Sequence, residues 1–262
     1  MKLSIVSLMV LLISCTGTEK KAGIDMSGAY MMLSVEIKSD SSDSTYTNTE
    51  QAKIYNGDYM MYANYSIPDS SSSFGIATYN TNGDTLTENV FYRSADSIVT
   101  DKTESYNLLI EKTGTGFKQV IKAMPTNTGV KIDLTEIYDS VGNKTTSALD
   151  GAWKMTNRYI IKGTDTTAAM ATQYKMYYAG YCIWGHTWKD SGNKTYTGMG
   201  YGTFTMPSAN KVKESMIAST YGEVKGHDFD ITIEMMGNEG FKQMMDNSDS
   251  TKSVEIYERL KK

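Results

Sequence analysis

The chain is short of the residues on which catalysis and metal binding draw most. It has 2 cysteines, Cys15 and Cys182, and 2 histidines, His186 and His227, in 262 residues. No Cys-His or His-His pair stands at a spacing that suits a metal. There is no G-x-S-x-G nucleophile turn and no P-loop, and two histidines give no triad with a base and its orienting partner. With one cysteine at the end of the N-terminal apolar run, no internal disulfide framework can form. Proline is scarce, at 3 residues, and most chain breaks fall at the 22 glycines and at Asn or Asp. The 26 basic and 30 acidic residues are interspersed, for a net charge of −4. No basic stripe appears, which excludes nucleic acid as a partner. These absences point to a non-enzymatic protein without cofactor or metal.

One long apolar run exists, and it opens the chain: "MKLSIVSLMVLLISC". It is too short to span a bilayer and has the form of a secretory signal. Its last residues, Leu12-Ile13-Ser14-Cys15, resemble the lipobox of bacterial lipoproteins. The resemblance implies residues 1–14 as a signal peptide, cleavage before Cys15 and acylation of that thiol. Residues 15–26 then form a lipidated tether. It also implies an extracytoplasmic, membrane-anchored protein in the outer membrane of a Gram-negative bacterium. Each buried CH2 contributes roughly 0.8 kcal/mol, so two or three acyl chains hold firmly. The alternative is an ordinary secreted protein with Cys15 unmodified. Cys182, in the apolar "YCIW", reads as a small buried hydrophobe rather than a reactive thiol.

The rest of the chain is written twice. "GFKQ" occurs at Gly116 and again at Gly240. Around it, "QAKIY" from Gln51 faces "QYKMY" from Gln173, and "FGIATY" from Phe74 faces "MGYGTF" from Met199. "NLLIEK" from Asn107 faces "DITIEM" from Asp230, and "EIYDS" from Glu136 faces "EIYER" from Glu255. "SGAY" from Ser27 faces "DGAW" from Asp150. The order is collinear and the offset stays between 119 and 126, which marks one duplicated unit. The period is far too long for a solenoid and each copy is domain-sized.

Within each copy, apolar residues alternate with period two. Tyr106, Leu108 and Ile110 alternate with Asn107 and Glu111; Phe229, Ile231 and Ile233 alternate with Asp230, Thr232 and Glu234. Such runs, cut by Gly, Asn and Asp, are half-buried strands. About eight short strands per copy point to a closed antiparallel meander, because closure removes exposed edges. The expected fold is all-β: two tandem antiparallel meander barrels, residues 27–142 and 149–262, joined by the polar segment "NKTTSA" at 143–148.

"LDGAWKM" places Gly-x-Trp on the first strand of the second copy, with Trp153, and "EIYERL" places Arg259 on its last strand. That pairing resembles the lipocalin and calycin superfamily, in which the first-strand Trp packs under an Arg of the final strand at the closed end of the barrel. The wider layout is similar to bacterial lipocalin-like lipoproteins of unassigned function. The resemblance implies that Trp153 and Arg259 touch and close the second barrel. In the first copy Tyr30 and Ser140 replace both members of the pair. Asp followed by Ser or Thr recurs at Ser44, Thr85, Ser97, Ser140, Thr166 and Ser250. It resembles the O-glycosylation sequon of some Gram-negative envelopes; the plainer reading is solvated turns.

A barrel of this size either fills itself with side chains or holds one small ligand. Strict alternation puts Leu86, Glu88, Val90 and Tyr92 on one face, and Val212, Glu214, Met216 and Ala218 on another. It does the same for Phe117, Gln119 and Ile121, and for Phe241, Gln243 and Met245. Each barrel is therefore expected to hold an inward Glu and an inward Gln. Either these form a buried network that fixes the core, or they face a ligand. The second copy is richer in aromatics, with Tyr174, Tyr177, Tyr178, Tyr181, Trp184, His186 and Trp188 close together. Polar-tipped aromatics often line small-molecule sites. The candidate ligand-binding residues are Glu214, Gln243, Tyr174, Tyr178 and Trp184, with Glu88 and Gln119 in the first barrel. The expected function is binding of a small, largely apolar molecule by a membrane-anchored envelope protein. The alternative is a structural or interaction module with filled cores. Met31, Leu33 and Val35 form an apolar strip where the second copy has Lys154, Thr156 and Arg158, and that strip is a candidate for docking the neighbouring barrel.

Overall fold

A computed structural model of the chain describes residues 22–47, 49–66, 71–95, 98–126, 129–143, 145–247 and 249–261. The segment expected to be a signal peptide, Cys15 and Ser97 lie outside the described residues. The structure is all-β. The first copy contributes β1 (Gly28–Lys38), β2 (Asp43–Tyr46), β3 (Glu50–Asn56), β4 (Tyr59–Ser66), β5 (Ser71–Asn82), β6 (Thr85–Ala95), β7 (Ile98–Thr100), β8 (Glu104–Thr113), β9 (Gly116–Pro125) and β10 (Lys131–Ser140). The second contributes β11 (Gly151–Lys162), β12 (Asp165–Ala168), β13 (Thr172–Tyr178), β14 (Tyr181–Lys189), β15 (Thr195–Ser208), β16 (Lys211–Ser219), β17 (Asp228–Met236), β18 (Gly240–Asp246) and β19 (Lys252–Arg259). In each copy eight antiparallel strands run as a meander and close, β1 onto β10 and β11 onto β19; β2, β7 and β12 are short additions. The result is two closed eight-stranded barrels in tandem.

Alternation holds along most strands, as buried Leu108 and Ile110 between exposed Asn107, Leu109 and Glu111 of β8 show. The register shifts at several bulges, and four of them alter which residues point inward. A bulge inserts one residue and reverses the alternation beyond it. Phe91 is the inserted residue in β6, since Ile76 pairs with Tyr92 and Ala77 with Val90. Leu86, Glu88 and Val90 face the barrel interior as alternation requires, but Tyr92 is turned out. The same happens at Ile217 in β16, where Tyr201 pairs with Ala218 and Gly202 with Met216, so Ala218 is turned out. On the first strands the inserted residues are Leu33 and Thr156. Val35 is thereby turned into the core of the first barrel, and Arg158 to the interior of the second. The expected apolar strip is broken up: Met31 packs between the barrels, Leu33 is exposed, and Val35 is internal.

The second barrel closes at one end as the sequence implied. Trp153 and Arg259 are direct partners in the β11–β19 ladder, and the guanidinium lies 4.0 Å from the indole centroid. Arg259 also donates through Nη1 to the Asp150 carbonyl (2.7 Å) and through Nε to the Asn238 carbonyl (2.7 Å). Gly151, at φ +147°, makes room: a Cβ there would stand 2.0 Å from Arg259 Nη1. The first barrel closes without this pair. Tyr30 and Ser140 hold the same register, and the Tyr30 ring packs edge-on against Phe117 at 4.9 Å. Arg259→Lys is expected to lose most of a stacking contribution of about 0.5–2 kcal/mol. A double-mutant cycle with Trp153→Phe in urea unfolding measures it.

The barrels pack back to back. Equivalent strands meet, β3 with β13, β4 with β14 and β5 with β15. Their outward faces make one shared core that includes Ala52, Ile54, Met61, Ala63, Phe74 and Tyr92 from the first barrel and Tyr174, Met176, Ile183, Met199 and Ala218 from the second. Small residues allow the close approach: a Cβ at Gly185 would stand 2.3 Å from the Phe74 ring. Tyr92 and Thr187 are hydrogen-bonded across the seam at 2.5 Å, as are Ser94 and Thr197.

Candidate binding site in the second barrel

The polar residues inside the barrels come from three motifs. Gln-x-Lys-x-Tyr turns Gln173, Lys175 and Tyr177 inward from β13. The Phe-Lys-Gln segment supplies Gln243 from β18, and Glu-Ile-Tyr supplies Glu255 and Tyr257 from β19. Glu214 enters from β16. All are buried. Lys175 Nζ donates to Glu214 Oε1 (3.2 Å), Gln243 Oε1 (3.1 Å) and the Tyr177 hydroxyl (3.2 Å). Tyr177 donates to Glu214. Gln243 Nε2 and the Tyr257 hydroxyl both donate to Glu255 Oε2, at 2.7 and 2.5 Å. Gln173 Nε2 donates to Tyr257 at 2.6 Å.

His186 extends this chain. Gln173 Oε1 can only accept, so His186 Nδ1 carries the proton on its 3.1 Å contact, and Nε2 accepts from the Tyr221 hydroxyl at 2.7 Å. The ring is neutral. Burial, with Arg158 and Lys175 nearby, pulls its pKa down to about 4. Burial opposes the charge on Lys175, but Glu214 and Glu255 outweigh it and raise its pKa. Burial and the adjacent carboxylates hold Tyr177 and Tyr257 well above the ordinary phenol range, so both keep their protons to donate. Burial likewise raises the Cys182 thiol, which lies free in the apolar core.

The His186 value has a consequence for stability. The unfolded ring protonates near pH 6.5, the folded ring only near pH 4. Between those values the unfolded state binds the extra proton, so stability falls as pH drops through this window and is fully present above it. His186→Asn, which places there the residue found at the matching position 64, is expected to remove that part of the acid sensitivity, on the order of 2–3 kcal/mol. Urea midpoints measured from pH 7.5 to pH 4 check it.

The first barrel repeats the network residue for residue. Lys53 Nζ donates to Glu88 (3.4 Å) and Gln119 (3.1 Å), and Tyr55 donates to Glu88 at 2.6 Å. Gln119 and Tyr138 both donate to Glu136, and Gln51 to Tyr138. The barrels differ above it. In the second, a cavity of about 700 Å3 opens over the network, walled by Trp184, Met216, Val224, Phe229 and Met245, with Arg158 at one side. In the first, the matching positions are Tyr62, Tyr106, Ile121 and Val35, and these pack onto the core. Arg93 is tied to Glu104 at 3.1 Å; the matching position in the second barrel is Ser219.

Of the candidate residues, Glu214, Gln243 and Trp184 line this cavity. Glu88 and Gln119 occupy the corresponding network of the first barrel. Tyr174 and Tyr178 are elsewhere, because the inward parity of β13 belongs to Gln173, Lys175 and Tyr177. Tyr174 is buried in the seam, 5.1 Å from Tyr92 between ring centroids, and Tyr178 packs at its edge. Sequence reasoning missed both lysines and both Glu-x-Tyr pairs. Their period-two spacing was visible in the repeat, but consecutive polar residues on one strand face ordinarily mark solvent. Among the described residues no group of His, Cys, Asp and Glu is placed to hold a metal ion.

No protein-family sequence model matches the chain, and no curated relative matches it. Among solved structures, it is similar to a protein of unknown function from the DUF3598 family of Nostoc punctiforme, at 10% identity, covering 90% of this chain and 96% of that one, with a TM-score of 0.27. It is also similar to a double mutant of the vaccine antigen transferrin binding protein B from Haemophilus parasuis, at 12% identity over 85% of this chain and 55% of that one, with a TM-score of 0.23.

Proposed function

We propose that the chain is a lipid-anchored envelope protein of the lipocalin-like class, held in the outer membrane by acylated Cys15, and that its second barrel binds a small, largely apolar molecule without transforming it. The observation that carries the binding role is the contrast between the copies. The same buried network lies in both, but the positions that wall a cavity of about 700 Å3 above the second are packed onto the core in the first. Pockets of this size, mostly apolar with a few convergent polar groups, are the usual form of small-molecule sites. The first barrel, with its matching positions packed onto the core, serves as a structural partner.

Solvent extraction of protein purified from its own membrane tests the binding role. The extract should contain a small molecule at about one per chain. Its removal should lower the melting temperature, and its return should restore it, by mass action. An extract empty of any such molecule, with the melting temperature unchanged, would favour the interaction module. The anchor has its own test. Cys15→Ser should move the protein from the detergent-rich phase to the aqueous phase in phase partitioning; full retention in the membrane fraction would remove the anchor assignment.

A further inference from the structure

We propose that the second barrel selects an amphiphile bearing a single negative charge, with Arg158 holding its acidic group; this rests on reading that barrel as a binding barrel. The donors around the cavity are nearly all spent. Lys175 has three acceptors, Gln173 and Gln243 are committed to Tyr257 and Glu255, and both nitrogens of His186 are engaged. Arg158 is the exception. Its guanidinium makes no hydrogen bond among the described residues; its Nε, sealed from solvent, is held only in a loose ion pair with Glu255 Oε1. The nearest carboxylate oxygen, Glu255 Oε1, is 3.6 Å away, and the other oxygen of that carboxylate already accepts from Gln243 and Tyr257.

A buried donor without an acceptor is costly, and native structures rarely keep one without a use. With Nε turned to Glu255, the two Nη groups of the half-buried Arg158 side chain remain, and their parallel N–H bonds match a carboxylate in a fork. Trp184, Phe229, Met216 and Met245 supply the wall for an apolar body beside it. Glu223 and Asp246 stand at the rim, and Glu214 and Glu255 lie deeper, Glu255 3.6 Å from Arg158, so a doubly charged head group such as a phosphate monoester dianion meets more repulsion than a singly charged carboxylate. Arg158 reaches this place only because of the bulge at Thr156. In the first barrel the matching residue is Val35, part of the core.

Calorimetric titration of the mature chain carrying Cys15→Ser, without detergent, tests this with dodecanoate and dodecanol below their aggregation limits. Dodecanoate should bind at least about tenfold tighter, the yield of one charge-assisted hydrogen-bonded pair. Arg158→Met should erase that difference while leaving dodecanol binding in place, and Arg158→Lys should keep part of it. Folding of the methionine variant is expected, because the first barrel carries an apolar residue at the same position. Equal or tighter binding of dodecanol by the unmodified site overturns the anionic selectivity but leaves the cavity as a binder. Failure of both to bind overturns the proposal together with the binding role.

Discussion

Glu214→Leu is expected to destabilise the protein by about 3–5 kcal/mol, because it leaves Lys175 buried with its charge unpaired. Lys175 is 4% exposed and its ion pair to Glu214 is 3.2 Å long. Tyr177 also loses its acceptor. Adding Lys175→Met to Glu214→Leu should recover much of the loss, since exchanging both partners of a buried pair for apolar groups of similar size is often close to neutral. Denaturant unfolding of the two variants decides the matter. A single-variant cost below about 1 kcal/mol would show that water reaches this pair freely, as at a surface salt bridge.

The Glu214 position was legible because a carboxylate on an otherwise apolar strand face is anomalous, and the same anomaly recurs at Glu88. Its lysine was not, because Lys175 sits between Gln173 and Tyr177 on a face that resembles a solvated one. The duplication and the strand periodicity depend on spacing, and spacing is what a sequence displays; the contact of Trp153 with Arg259, far apart in the chain, followed from the family resemblance instead. Arg158 shows the limit. Strict alternation sends it outward with Lys154; one inserted residue at Thr156 sends it inward, and nothing about a threonine announces a bulge. Tyr92 and Ala218 were misplaced for the same reason, by Phe91 and Ile217.

Ala63→Asp should be the most damaging single change at the seam, costing more than about 3 kcal/mol, because the carboxylate would be buried among apolar side chains without a partner. Ala63 is fully buried in the core shared by the barrels. The change lies on an outer barrel face, so it should leave each barrel interior intact while parting the two. The expected signs are earlier unfolding in urea and new proteolytic cutting in the 143–148 segment. Unchanged stability and resistance would mean that the barrels stand independently. A tether of that composition suggests two halves that fold separately once cut there. The shared core predicts instead that each half, alone, exposes a broad apolar face and aggregates. This seam could not be read from the sequence. Its alanines and methionines, with Ile54, Phe74, Tyr174 and Ile183, lie mainly on the outward parity of β3–β5 and β13–β15, and such residues signal close approach only once the approaching surface is known.

Native mass spectrometry of the mature protein, extracted from its own membrane, tests most directly whether one barrel binds and the other supports it. The expected spectrum shows one small molecule per chain, retained by the unmodified protein and lost from Ser219→Arg, which places over the second barrel the residue that Arg93 places over the first. A spectrum with no bound mass, or with two bound molecules per chain, or with one that survives Ser219→Arg, would contradict it.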